Sequence, residues 1–179
     1  MPQTTKVVTG KVRFSYAHVF EPHSVEEGGV KKYSVSLLIP KSDTATVAKI
    51  KAAIELAIVE GTAKHFAGKR PANLKTPLRD GDVERSDDPT YAGHWFVNAN
   101  SNNKPGLVDE NLNDIIDRDE FYSGCYGRAS VNFYAFNVSG NRGVACGLNN
   151  IQKLEDGEAL SGGRGSAAAD FGDENDDLL

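Results

Sequence analysis

"CYGRASVNFYAFN", residues 125–137, is the stretch on which the fold turns. Cys125, Ala129, Val131, Phe133 and Ala135 form one series, with Gly127 among them. Tyr126, Arg128, Ser130, Asn132, Tyr134 and Phe136 form the other. A period of two is the mark of a strand with one face in a core. "VSGNRG" then supplies a hairpin turn, and "VACGLNNIQKL" returns as a second strand. The second series is polar and aromatic, so the outer face of this hairpin is available for something besides packing.

The same pattern recurs upstream. In "GKVRFSYAHVF" (10–20), Val12, Phe14 and Tyr16 point one way while Lys11, Arg13 and Ser15 point the other. "EPHSVEEGGVKK" reads as a loop, with Pro22, Gly28 and Gly29 as turn formers. "KYSVSLLIP" (32–40) places Tyr33, Val35, Leu37 and Ile39 on one face. After Pro40 the period changes. Ser42 or Asp43 caps a helix, and Val47, Ile50, Ile54, Ala57 and Ile58 recur at helical spacing. The helix is predicted from about Thr44 to about Phe66, with Gly61 weakening or ending it. Residues 67–92 read as a long surface loop. "GHWFVNANS" (93–101) is a short strand, and the stretch up to Gly124 is irregular. No internal repeat is found.

The predicted fold is mainly β with one long helix. It is an OB-fold-like five-stranded barrel with loop insertions over residues 1–154. Residues 155–179 form a flexible glycine-rich linker and a disordered acidic C-terminal tail.

Charge divides the chain at the same place. Glu155 to Leu179 hold eight acids and a single base, Arg164, a net of −7. The preceding 154 residues carry 19 bases and 17 acids, a net of +2. A mildly basic body with an acidic tail suggests nucleic-acid binding and a tail that interacts. No run of 18 apolar residues occurs, so no membrane partner is expected. The N-terminus lacks the layout of a signal peptide, which implies a cytoplasmic location. Cys125 and Cys146 fit no close metal-ligand spacing and read as reduced thiols.

Catalytic patterns are weak. None of His18, His23, His65 and His94 has a ligand-like partner, and no phosphate-binding loop or nucleophile elbow occurs. In "DENLNDIIDRDE" (109–120), Asp109, Asn111, Asn113 and Glu120 match calcium-loop positions, but Asp114 stands where the sharp turn needs glycine. No enzyme activity, metal or cofactor is expected. One alternative is a metal-dependent nuclease using Asp114, Asp117 and Asp119. Another is a structural protein that binds no DNA.

Binding single strands requires cations that follow the phosphates and aromatics on which bases stack. Tyr126, Arg128 and Tyr134 offer both on one strand face. Lys11 and Arg13 lie on the polar face of the first strand, and Lys31 and Lys32 lead into the second. The loop adds Lys69 and Arg70. Trp95 and Phe96 are adjacent, so one points inward and the other outward.

The blocks "GKVRFSYAHVFEP", "KYSVSLLIPKSD" and "YSGCYGRASVNFYAF…GVACGLNNIQKLEDGEAL" resemble a phage family first catalogued as a domain of unknown function. Its members are similar to phage single-stranded-DNA-binding proteins with an OB-fold. The resemblance covers most of residues 6–160, strongest at 122–160 and weakest at 67–92. It implies a protein that coats single-stranded DNA in phage replication or recombination, without enzymatic activity. Duplex DNA or RNA would bind more weakly, and exposed strand edges would let two copies pair as a homodimer. The resemblance also gives the tail a role: docking on replication or recombination proteins and competing with DNA for the groove. The tail residues concerned are Asp170, Phe171, Asp173, Glu174, Asp176, Asp177, Leu178 and Leu179. The tip departs from the bacterial pattern of an acidic run followed by Pro-Phe. Here Leu178 and Leu179 stand in that place, and Phe171 is the only tail aromatic.

Overall fold

A computed structural model describes residues 4–24, 28–69, 71–72, 74–138 and 141–160. In chain order the elements are β1 (Lys6–Val8), β2 (Val12–His23), β3 (Lys32–Pro40), α1 (Thr44–Lys64), β4 (Leu78–Asp80), α2 (Gly81–Glu84), β5 (His94–Ser101), β6 (Gly106–Val108), β7 (Tyr126–Val138) and β8 (Asn141–Glu155). The chain is mostly β sheet with one long helix.

The five long strands pair in a closed circuit: β7 to β2, β2 to β3, β3 to β5, β5 to β8, and β8 back to β7. All these pairings are antiparallel except β5 with β8. The β7–β8 hairpin is the longest ladder, running from Tyr126↔Glu155 to Val138↔Asn141. Its inner series, Cys125, Ala129, Val131 and Phe133, is buried as the alternation requires. Val35, Leu37 and Ile39 on β3 meet it in the same core, as do Val97 and Ala99 on β5.

α1 follows the predicted stripe: Val47, Ile50, Ile54, Ala57 and Ile58 are buried. Each large aliphatic chain so buried contributes about 1.5–3 kcal/mol. Asp43 is the cap, accepting from the Thr46 N–H at 3.1 Å and the Thr46 hydroxyl at 2.6 Å. Thr46 Oγ1 in turn accepts from the Gly10 N–H at 3.0 Å, which ties the helix start to the β1–β2 connection.

Several expectations need correction. Gly61 does not end α1, which continues to Lys64. It is buried because the helix passes close to β7 there. Tyr16 does not share a face with Val12 and Phe14. A register irregularity follows Ser15, Tyr16 takes φ 48°, and its side chain is turned out to solvent while Ser15 is buried. Residues 67–92 are more than a surface loop. They contribute β4 and α2, and Tyr91 closes over Leu38 and Phe96 as a small second cluster. The flexible linker does not begin at Glu155. β8 includes Glu155, and the Leu160 N–H donates to the Ser123 carbonyl at 2.9 Å. β1 and β6 are short pairings that the sequence reading did not foresee; each adds to one flank of the hairpin.

Candidate nucleic-acid interface

Register fixes which side chains share the outer face. On β2, β3 and β5 it runs in three rows: Arg13, Leu38 and Phe96; Ser15, Ser36 and Asn98; His18, Ser34 and Asn100. The last two rows make a polar strip, in which Ser15 and Ser36 are buried, His18, Ser34 and Asn100 half-buried and Asn98 exposed. The segment after α2 covers one end. There the Tyr91 hydroxyl reaches Ser36 Oγ at 3.4 Å, and the Arg85 guanidinium lies over the Tyr91 and Phe96 rings at 5.6 and 5.8 Å. Arg85, Asn98 and Asn100 were missed by the sequence reading. The alternation of "HWFVNANS" carries the asparagines, but nothing local places Arg85 over the sheet.

At the opposite corner the structure brings together three expected residues. The Tyr126 ring lies under both Lys11 Nζ (5.2 Å) and the Arg13 guanidinium (5.4 Å). Both cations have other partners. Lys11 pairs with Glu155 at 2.5 Å. Arg13 donates to the carbonyls of Gly124 at 3.1 Å and Glu158 at 2.7 Å. The neighbouring Tyr122 hydroxyl holds Asp156 and Gly157, and burial raises its pKa above the usual phenol range.

The remaining expected residues are dispersed. Lys31 is exposed and Lys32 half-buried, where the chain enters β3. Arg128 is exposed, with Nε and Nη2 both on Gln152 Oε1 at 3.1 and 2.6 Å. It lines a shallow groove with Val8, Val108 and Leu112 on the outer hairpin face. Tyr134 is exposed further along the same face. Lys69 is exposed beyond α1, while Arg70 lies outside the described residues. Phe96 is the outward member of its pair, yet it is buried beneath Tyr91, so no base can stack on it in this conformation. Trp95 faces the core side, half-buried between Lys41 and Lys51, whose ammonium groups lie 5.3 and 5.4 Å from the ring centroid. The tail residues Asp170 to Leu179 lie outside the described residues.

The acidic stretch 109–120 is organised by its own backbone. Asp109 accepts the N–H groups of Asn111 and Asn113, and Asp117 accepts that of Asp119. Among the described residues, no three metal-ligating side chains converge. Cys125 and Cys146 are both buried, and burial pushes both thiols up. No described helix is long and apolar enough to cross a membrane.

Putative protein p50 of Acyrthosiphon pisum secondary endosymbiont phage 1 is 33% identical over 184 residues, spanning 97% of this chain and 98% of its own. The single-stranded DNA-binding protein from bacteriophage Enc34, solved in complex with single-stranded DNA, matches with a TM-score of 0.79 and 25% identity over 88% of this chain and 90% of that one. A single-stranded DNA-binding protein encoded by bacteriophage T7 shares the fold at a TM-score of 0.62 and 15% identity, over 94% and 93% of the two chains. The sequence profile of the Enterobacter phage Enc34 single-stranded-DNA-binding protein matches residues 5–179, and the chain belongs to that family.

Proposed function

We propose that the chain binds single-stranded DNA across the outer face of β2, β3 and β5, without enzymatic activity. The observation that carries this is the family match over residues 5–179, with a related phage protein solved in complex with single-stranded DNA. In the five-stranded OB plan, oligonucleotides lie across the second and third strands and the loops beside them. Here β3 and β5 hold those places among the five long strands. Ser34, Asn98 and Asn100 on the strip offer hydrogen bonds without a fixed base code. Lys31 and Lys32 at one end and Arg85 at the other supply charge for phosphates. Binding is therefore largely indifferent to sequence, and duplex DNA or RNA binds more weakly. The protein serves phage replication or recombination in the host cytoplasm. Its acidic tail docks on partner proteins and competes with DNA for the groove.

Fluorescence anisotropy of a labelled oligo-dT at low and moderate salt tests the reading. Salt-sensitive binding is expected, with the oligonucleotide intact after incubation with magnesium or manganese. No binding at low salt would overturn it. Cleavage would favour the acidic stretch at 109–120 as a nuclease site.

A further inference from the structure

In a regular strand, residues five apart point to opposite faces. His18 and His23 do not. β2 is irregular on both sides of His18, and the shifts bring the two imidazoles face to face, with ring centroids 4.1 Å apart and planes within 9°. His23 is exposed and His18 half-buried, so the open face of the stack belongs to His23. The pair lies at the end of the polar strip. Ser34 is the register partner of His18, Asn100 lies beyond Ser34, and Lys32 is the register partner of His23.

The charged surroundings favour an anion. Lys32 lies across the ladder, with Lys31 next to it in the chain. On the same strand, Glu21 is paired with Arg118 at 2.6 Å. Arg118 and Lys104 both lie over Phe20. Burial, and then the neighbouring His23, hold His18 below the usual imidazole range.

We propose that the His18–His23 stack is a base-stacking platform, placed at the far end of the DNA track from Tyr126. One base of a single strand lies on the open face of His23, and its phosphate sits beside Lys31 and Lys32. The inference rests on the single-stranded DNA reading above and adds a site to it. An aromatic face accepts any base, so the platform fits binding without sequence preference.

The test uses the full chain and a labelled oligo-dT at neutral pH and low salt. His23→Ala is expected to weaken binding roughly tenfold, the loss of one stacked base. His23→Phe keeps an aromatic face and is expected to bind like the parent. His23 is exposed, so thermal unfolding of both variants should match the parent. If His23→Ala binds like the parent while Lys31→Ala is weakened, the platform is wrong and the DNA reading stands. If His23→Phe is weakened as much as His23→Ala, stacking on this face is wrong. If the parent itself does not bind, the DNA reading fails and the platform fails with it.

Discussion

Arg13 and Glu158 are 145 residues apart in sequence, yet Arg13 Nη2 donates to the Glu158 carbonyl at 2.7 Å. The contact joins β2 to the segment after β8. Gly124 completes the joint: its φ is +119°, and a β-carbon there would lie 2.0 Å from the Glu158 oxygen. Only glycine meets both conditions. Arg13 is therefore largely a structural cation. Arg13→Ala should cost about 1–3 kcal/mol in urea unfolding, from two charge-assisted hydrogen bonds. Lys31→Ala should leave the unfolding midpoint alone and lower the salt slope of oligo-dT binding by about one. A salt slope lowered equally by Arg13→Ala, with stability unchanged, would show that Arg13 leaves its carbonyls for phosphate.

Gly61 makes a second constraint of the same kind. A β-carbon on this α1 residue would lie 2.3 Å from Ala135 Cβ on β7. Gly61→Ala gains about 1 kcal/mol of helix propensity. It also forces α1 off the sheet, an overpacking cost of about 1–3 kcal/mol. A net destabilisation of up to about 2 kcal/mol is expected from these two terms. A higher urea midpoint would mean that α1 slides along the sheet without loss.

The strip end under Tyr91 depends on an ion clamp. Lys41 Nζ lies 2.7 Å from both the Asp80 and Asp82 carboxylates, and Asp82 also accepts the Gly93 N–H at 3.0 Å. The hydrogen bond from Lys41, then that from Gly93, hold the Asp82 carboxyl below its usual range. The bonds to Asp80, then Asp82, raise Lys41 above its own. A depressed carboxyl stabilises the fold above its unfolded pKa and loses that effect as pH falls through its folded pKa. A raised ammonium does the reverse, losing its effect as pH rises through its folded pKa. The clamp thus acts across neutral pH and fails at both extremes. Thermal unfolding against pH should show a flatter acid limb in Asp82→Asn. It should show both limbs flattened in Lys41→Met. An Asp82→Asn profile parallel to the parent would place the acid sensitivity elsewhere.

What was legible in the sequence was whatever follows from a regular period. The alternation over 125–137 and 32–40 and the stripe from Val47 to Ile58 gave the strands, the helix and the core faces, and the structure places them so. The misreadings fall where the period breaks. Tyr16 turned outward at a bulge, a local irregularity that leaves no mark in residue type. Parity leaves open which of Trp95 and Phe96 faces out; Phe96 does, but Tyr91 comes from a segment without periodicity and buries it. Trp95 packs against the core instead of lying open to bases, so DNA-dependent quenching of its fluorescence is a poor indicator of binding. Lys11 and Arg13 were legible as cations on a polar face. Their engagement by Glu155, Gly124 and Glu158 depends on contacts more than 100 residues away in sequence.

The same contacts decide where the tail should be cut. Lys11–Glu155, Arg13–Glu158, Tyr122–Gly157 and Leu160–Ser123 attach residues 155–160 to the body. Residues 161–179 then carry five acids and one arginine from that anchor. The anchor sits beside Arg13 and Tyr126, at the edge of the proposed track, so even a short tether keeps the polyanion at high effective concentration. Ending the chain at Leu160 should tighten oligo-dT binding at low salt, with less gain at moderate salt, and leave the urea midpoint unchanged. Ending it at Leu154 removes three further acids and also strips Glu155 from Lys11 and Glu158 from Arg13, so its stability should fall by about 1–3 kcal/mol. Comparing the two truncated chains separates the acid in the tail from the strap that holds the corner. If the chain ending at Leu160 binds no tighter than the full chain at low salt, the tail does not compete for the groove, and its acids serve another partner.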